Sequence, residues 1–175
     1  MTRTQLKLNF IDGLKAQYGE REAGNIFYRV VDHLFDKNRI EWDMDVNEDD
    51  EIDLENFMHV HYKDLQQGKP VQQVLGYEWF YDMKLQVNEH VLIPRPETEE
   101  LVHWIVQRED GSSPMNVLDI GTGSGCIVLA LAKHWSSSNC EGWDYSNEAL
   151  ITADTNASIL ELDNVNWNRQ NALSP

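Results

Sequence analysis

Apolar residues recur along the chain first at helical spacing, then in alternation, and finally in short blocks separated by glycines. Leu6, Phe10, Ile11 and Leu14 share one helical face, and Ile26, Phe27, Val30, Val31, Leu34 and Phe35 repeat the period more strongly. Two amphipathic helices broken near Gly19 are predicted. Glu41 to Glu51 is polar and acidic with no periodic apolar set, so a connection is expected there. Leu54, Phe57, Met58, His61 and Leu65 form another helical stripe, which Gly68 and Pro70 stop. A small helical bundle before residue 70 follows.

Past Pro70 the texture changes. Tyr77, Trp79 and Tyr81 alternate with Glu78 and Phe80, and Leu85 and Val87 alternate with Lys84 and Gln86. A hairpin turning at Asp82-Met83 is predicted. Its aromatics are read as packing groups, because a two-stranded ribbon needs an apolar face to be stable. Pro94-Arg-Pro-Glu97 then punctuates the chain, since each proline pushes its predecessor out of the α region. A helix is expected to start there, with Glu97, Glu99 and Glu100 in its positive first turn and Leu101, Val102, Ile105 and Val106 facing inward.

From Met115 the order is strand, glycine loop, helix, strand, helix, strand. The predicted elements are Asn116–Ile120, Ser124–Lys133, Cys140–Asp144, a helix from Ser146 (its N-cap) to about Leu160, and Val165–Gln170. This is the first half of a doubly wound domain. The fold class is thus α/β: a helical bundle over residues 1–70, a β-hairpin connection over 71–96, and part of a Rossmann-like domain over 97–175.

Composition narrows the function. Thirty acidic against fourteen basic side chains give a formal charge of −16, which repels phosphate backbones and argues against direct nucleic-acid binding. Cys126 and Cys140 have no metal-ligand spacing and sit in apolar neighbourhoods, as buried thiols of a reducing compartment would. The six histidines form no ligand cluster. Trp42, Trp104, Trp135, Trp143 and Trp167 read as packing residues. With no run of eighteen apolar residues and no apolar core after Met1, a cytoplasmic protein without a membrane partner is expected.

Asp119-Ile-Gly121-Thr-Gly123-Ser-Gly125 lies between a predicted strand and helix, where glycines let the backbone turn sharply and approach a ligand. Asp144, ending the next strand, is placed to accept hydrogen bonds from ribose hydroxyls. Dinucleotide sites want a small Gly or Ala at the sixth loop position, and here that position is Cys126. An acidic residue two places before the first glycine, as Asp119 is, is instead the form taken by methyltransferases that use S-adenosyl-L-methionine.

Gly68-Lys-Pro-Val71, Gln73-Val-Leu-Gly-Tyr77, Trp79-Phe80, Val91-Leu-Ile-Pro-Arg-Pro-Glu-Thr98 and Val117-Leu-Asp-Ile-Gly-Thr-Gly-Ser-Gly125 occur in this order. Over about residues 20–175 the chain resembles the N-terminal portion of HemK-type protein-(glutamine-N5) methyltransferases, which modify peptide chain release factors. The resemblance implies a helical substrate-recognition domain, a hairpin connection and a class I methyltransferase domain that binds S-adenosyl-L-methionine. It carries cofactor contacts onto Gly121, Thr122, Gly123, Ser124, Gly125 and Asp144. The adenine end falls to Asn171, where members often have Asp, and to Ala172, where some carry Trp. Arg95 and Glu97 are implied to shape the substrate entrance, and a turn-and-capping role explains them equally well.

The family's Asn-Pro-Pro-Tyr motif, which seats the acceptor amide, does not occur up to Pro175. No catalytic residue is therefore assigned within the chain, and residues 1–175 alone are expected to be inactive. Two alternatives stay open: a ribosomal-protein glutamine or adenine-N6 methyltransferase, and a truncated, non-catalytic binding module. The Pro94–Thr98 segment favours the release-factor reading over the first, since the ribosomal-protein enzymes typically carry Pro-Arg-Ser-Pro there.

Overall fold

The computed structural model describes residues 3–44, 50–109 and 113–173. The chain divides into two compact units, Met1–Leu75 and Gly76–Pro175.

The first unit is helical. Helices α1 (Arg3–Tyr18) and α2 (Glu20–Phe35) are joined by Gly19 alone, at φ 79° and ψ 160°, a conformation that glycine reaches without a Cβ penalty. Leu6, Phe10 and Leu14 of α1 and Ile26, Phe27, Val30 and Val31 of α2 are buried, and the Phe10 and Phe27 rings meet edge to face at 5.4 Å. Helix α3 (Arg39–Met44) lies where a connection is expected from Glu41 onward. Its start is a capping box: the Asn38 side chain accepts the Glu41 N–H at 3.1 Å, and the Glu41 carboxylate accepts the Asn38 N–H at 2.8 Å. Trp42 then buries against Phe35, stacked at 5.2 Å, with the Arg3 guanidinium on its ring. Residues 45–49 of the expected connection lie outside the described residues.

Helix α4 (Asp50–Gln66) carries the Leu54, Phe57 and Leu65 stripe, all three buried, and ends where Gly68 N–H bonds Leu65 C=O and Lys69 N–H bonds Asp64 C=O. Close approach to α1 depends on Gly13. A Cβ there would sit 2.3 Å from the Tyr62 hydroxyl, which instead donates to Phe10 C=O at 2.5 Å. The short α5 (Val71–Leu75) closes the unit.

The second unit opens with the hairpin β1 (Tyr77–Phe80) and β2 (Met83–Gln86). Its turn is Tyr81-Asp82, one residue earlier than expected, with both residues at positive φ as a two-residue turn matching strand twist requires. Met83 belongs to the strand and is buried, which leaves Tyr81 and Asp82 as the residues free to turn. Tyr77 and Phe80 pack inward as read, whereas Trp79 stands 54% exposed.

Helix α6 (Pro96–Arg108) has proline at its first position and buries Val102, with Ile105 and Val106 half-buried. Leu101 and Trp104, both read as inward packing, are exposed. As i, i+3 neighbours they sit together on one side of the buried stripe, beyond the narrow face that α6 covers.

Strands β3 (Asn116–Ile120), β4 (Asn139–Asp144) and β5 (Val165–Arg169) form a parallel sheet in the order β3-β4-β5, connected by α7 (Cys126–His134) and α8 (Asn147–Ile159). Helix α7 is apolar from Cys126 to Ala132 and lies at the centre of the core. Val128, Leu129, Leu131 and Cys140 meet Phe80, Met83 and Leu85 of the hairpin and Ala157 of α8 there. Helix α8 starts as expected, with the Ser146 hydroxyl accepting the Ala149 N–H at 3.1 Å. Among the described residues no helix is long and apolar enough to cross a membrane.

Candidate cofactor site

The β3–α7 loop sits at the carboxyl ends of the parallel strands, where open α/β sheets take their ligands. Gly121, Gly123 and Gly125 adopt φ of 78°, 56° and 80°, so every second residue of the loop is left-handed. Such a path carries a large penalty for residues with a Cβ. The resulting backbone is anchored to its neighbours. Gly121 and Thr122 N–H both donate to Trp143 C=O, at 2.8 and 2.9 Å, and Gly125 N–H closes a turn on Thr122 C=O at 2.8 Å.

Two carboxylates bracket this loop. Asp119, at the end of β3, accepts the Thr122 hydroxyl at 2.8 Å. Burial raises its carboxyl above the usual carboxylate range; the hydrogen bonds from Thr122 and from the Val128 N–H oppose the shift, and the nearby charge of Asp144 adds to it. Asp144 ends β4, as expected, and spends one oxygen on the Gly123 N–H at 2.9 Å and the other on the Ser146 N–H at 2.9 Å. Each oxygen keeps further acceptor capacity, and the residue is half-buried.

A cleft of about 140 Å³ runs beside the loop. One wall is Gly121, Thr122, Gly123 and Ser124 with Cys126 and Ile127, and the other is Leu92, Ile93, Pro94, Arg95 and Thr98. Arg95 is the extended residue at the N-terminus of α6, and its backbone C=O accepts the Thr98 N–H at 2.9 Å. Arg95 thus takes the turn position at the helix start without a side-chain cap hydrogen bond, and the same segment faces the glycine loop. The Ser124 hydroxyl is buried at the cleft, and the Cys126 thiol is the neighbouring group it can bond. Burial pushes the Cys126 thiol up to about 11, so it is an uncharged wall of the cleft at neutral pH. Both cysteines are free thiols.

Asn171 and Ala172 are exposed and outside this cleft. They follow β5 directly, at the same sheet edge, because Gln170 N–H bonds Asp144 C=O at 3.0 Å; the Asn171 side chain accepts the Leu173 N–H.

Sequence reasoning missed two residues that shape the loop from below. Gly142 of β4 pairs with Trp167 of β5, and the indole lies across the space where a Cβ would be, only 2.4 Å from that position. The ring's edge also reaches Gly125, whose Cβ position is hemmed in by Leu129 at 2.9 Å and Trp167 at 3.1 Å. Asn156 of α8 is fully buried and bonds Ser124 C=O at 2.9 Å. A glycine inside an otherwise regular strand was the one available signal, since it marks a close approach. Among the described residues, no group of His, Cys, Asp and Glu side chains is placed to hold a metal ion.

Residues 112–174 match a family model described as a methyltransferase domain. The chain is 35% identical over 164 residues to the release factor glutamine methyltransferase of Flavobacterium psychrophilum, covering 90% of this chain and 56% of that protein. It is 41% identical over 158 residues to the enzyme of the same name from Streptococcus pneumoniae, covering 90% and 55%. Among solved structures, ribosomal protein L11 methylase from Lactobacillus delbrueckii subsp. bulgaricus aligns at 22% identity over 51% of this chain and 46% of that one, with a TM-score of 0.43.

A glycine loop between a parallel strand and a helix, with a carboxylate ending the next strand, and a match to the family model together define a methyltransferase domain of the S-adenosyl-L-methionine-dependent class. The chain spans about half the length of the curated relatives it matches. Within that class, the relatives that match about nine-tenths of this chain are release factor glutamine methyltransferases.

Proposed function

We propose that this protein methylates the side-chain amide nitrogen of a glutamine in a peptide chain release factor, with S-adenosyl-L-methionine held at the β3–α7 loop. The observation that carries the cofactor assignment is Asp144. Its two oxygens each hold one backbone N–H and retain lone pairs at the mouth of the strand ends, as a ribose diol would need. The buried Ser124 hydroxyl lines the same cleft. Bound there, the cofactor supplies an electrophilic methyl group on a sulfonium.

The chain's own residues do the rest of this half of the site. Gly121 to Gly125 hold the backbone close enough to touch the ligand, Asp144 fixes the ribose, Asn171 and Ala172 border the adenine, and Leu92 to Arg95 narrow the cleft and exclude water. An amide nitrogen is a poor nucleophile, so catalysis here is chiefly alignment of that nitrogen with the methyl group. The family's Asn-Pro-Pro-Tyr motif for this task does not occur within residues 1–175. We therefore assign to these residues cofactor binding and, for the helical part over 1–70, recognition of the protein substrate, in a cytoplasmic setting.

Calorimetry is the test. S-adenosyl-L-methionine should bind and NADH should not, and Asp144→Ala should weaken binding by about 1–3 kcal/mol, the scale of hydrogen bonds to a charged group. NADH binding without S-adenosyl-L-methionine binding would overturn the cofactor assignment. A radiolabelled-methyl assay on the complete enzyme, offered a release factor, ribosomal protein and adenine-containing DNA side by side, tests the substrate; label entering only the latter two would overturn it.

A further inference from the structure

Asn156 lies 32 residues from the glycine loop in sequence, on the buried face of α8, and is fully enclosed. Its amide makes three hydrogen bonds and leaves no group unpaired. The Nδ2 donates to Ser124 C=O at 2.9 Å and to Gln86 C=O at 3.1 Å, and Oδ1 accepts the Gln86 N–H at 2.6 Å. One side chain thus joins the last residue of β2, helix α8 and the loop. Burying an amide is costly unless every donor and acceptor is met, and a leucine would fill the volume more cheaply. What an apolar residue cannot do is hold a carbonyl in a chosen direction.

That direction matters at Ser124. Fixing its C=O fixes the plane of the Ser124–Gly125 peptide, whose N–H closes the loop's turn on Thr122 C=O. Beside the Thr122 hydroxyl on Asp119, the loop is tied at three places: Gly121 and Thr122 to Trp143 C=O, Gly123 to the Asp144 carboxylate, and Ser124 to Asn156. Only the third reaches outside the sheet, to the strand that leads on to Leu92 and Pro94. We propose that Asn156 is a positioning residue that sets the loop in its ligand-ready form and couples it to the hairpin. The consequence for affinity rests on the cofactor reading above.

A control sits one turn earlier on the same face. Thr152, also buried, accepts a hydrogen bond from the Asn88 side chain at 2.9 Å and donates to Glu148 C=O. It anchors the segment just past β2 without being tied to the loop.

The test is amide hydrogen exchange and calorimetry at pH 8 on Asn156→Asp, which keeps the shape and the Gln86 acceptor while replacing two N–H donors by at most one O–H, and on Asn156→Leu, which removes every donor, compared with Thr152→Val. Exchange at Gly125 is measured against Cys140, whose amide in β4 bonds Asn164 C=O and reports opening of the whole unit. In both Asn156 variants the Gly125-to-Cys140 exchange ratio should rise at least tenfold and the S-adenosyl-L-methionine Kd should rise at least tenfold. Thr152→Val should lower the melting temperature and leave both quantities within about twofold. An unchanged ratio in a folded Asn156→Asp protein, or an equal rise in Thr152→Val, overturns the proposal. Should Asn156→Asp fail to fold, Asn156→Ser takes its place, and the wild-type protein offers a further readout. Ligand binding should slow exchange at Gln86 as well as at the loop, and protection confined to the loop counts against the coupling. Absence of S-adenosyl-L-methionine binding by the wild type would strike the cofactor reading, while the unliganded exchange ratio still decides the role of Asn156.

Discussion

Replacing Gly142 by alanine tests whether the floor of the loop is as tight as it looks. The added Cβ would stand 2.4 and 2.7 Å from two ring carbons of Trp167 and 3.1 Å from the Thr122 methyl. Contacts below 3.0 Å cannot stand, and two of the obstacles belong to a flat, rigid ring. Trp167 cannot slide toward Gly125, because the bare side of that glycine is already filled by Leu129 together with the edge of the ring. It can swing outward only because β5 lies at the end of the β3-β4-β5 order, and doing so exposes indole surface. Overpacking of this kind costs about 1–3 kcal/mol. Alanine in a strand recovers about 0.5–1 kcal/mol of backbone entropy relative to glycine, so the net loss should be about 1–2 kcal/mol. For a chain of this size that corresponds to a fall of roughly 2–8 °C in melting temperature.

Urea denaturation of the single and double variants is the assay. Trp167→Leu in the Gly142→Ala background should relieve the clash, giving a coupling of about 1 kcal/mol or more in the double-mutant cycle. Because Thr122 is the third neighbour, cofactor affinity should fall with stability and recover with it. A Gly142→Ala protein as stable as the wild type, or a cycle that is simply additive, would refute the account of the Gly142–Trp167 contact.

Three further outcomes are expected. Because burial raises the folded Asp119 carboxyl above its ordinary value of 3.8, its favourable contribution is complete below that value and is lost as pH rises through the folded pKa. The stability of Asp119→Asn relative to wild type should therefore climb from about pH 3.8 toward neutrality and level off, and a difference constant over that range would refute the shift. With its thiol near 11, Cys126 should be about one part in a thousand thiolate at pH 8 and alkylate at least a hundredfold more slowly in the folded protein than in urea; equal rates would show the thiol to be accessible and ionised. Asn164 donates its side-chain N–H groups to Ala132, Trp135 and Ser138 C=O at 3.1–3.4 Å and so caps the end of α7. Asn164→Ala should cost about 1–3 kcal/mol by thermal denaturation, and a loss under about 0.5 kcal/mol would mean that water caps these carbonyls equally well.

Helix stripes such as Leu6, Phe10 and Leu14, the strand-loop-helix run around Gly121, and the Ser146 cap were legible in the chain because each rests on residues within a few positions of one another. Asp144 was legible for the same reason, as the end of the short strand that follows the glycine loop and its helix. The capping box of Asn38 and Glu41 is equally local, but an acidic surrounding with a single buried tryptophan hid it. Other features were decided only when distant segments met. The hairpin turns at Tyr81 because Met83 is claimed by the core, and Leu101 and Trp104 stay exposed because α6 buries a stripe narrower than its apolar residues. The cleft wall from Leu92 to Thr98 faces a loop more than twenty residues further on. Asn156 reaches Ser124 and Gln86 across 32 and 70 residues, and no local pattern distinguishes it from a solvent-facing asparagine. Periodicity reports which side of an element is apolar, whereas the partner that a buried polar group finds, or the space a missing Cβ leaves, is a property of the packed chain alone.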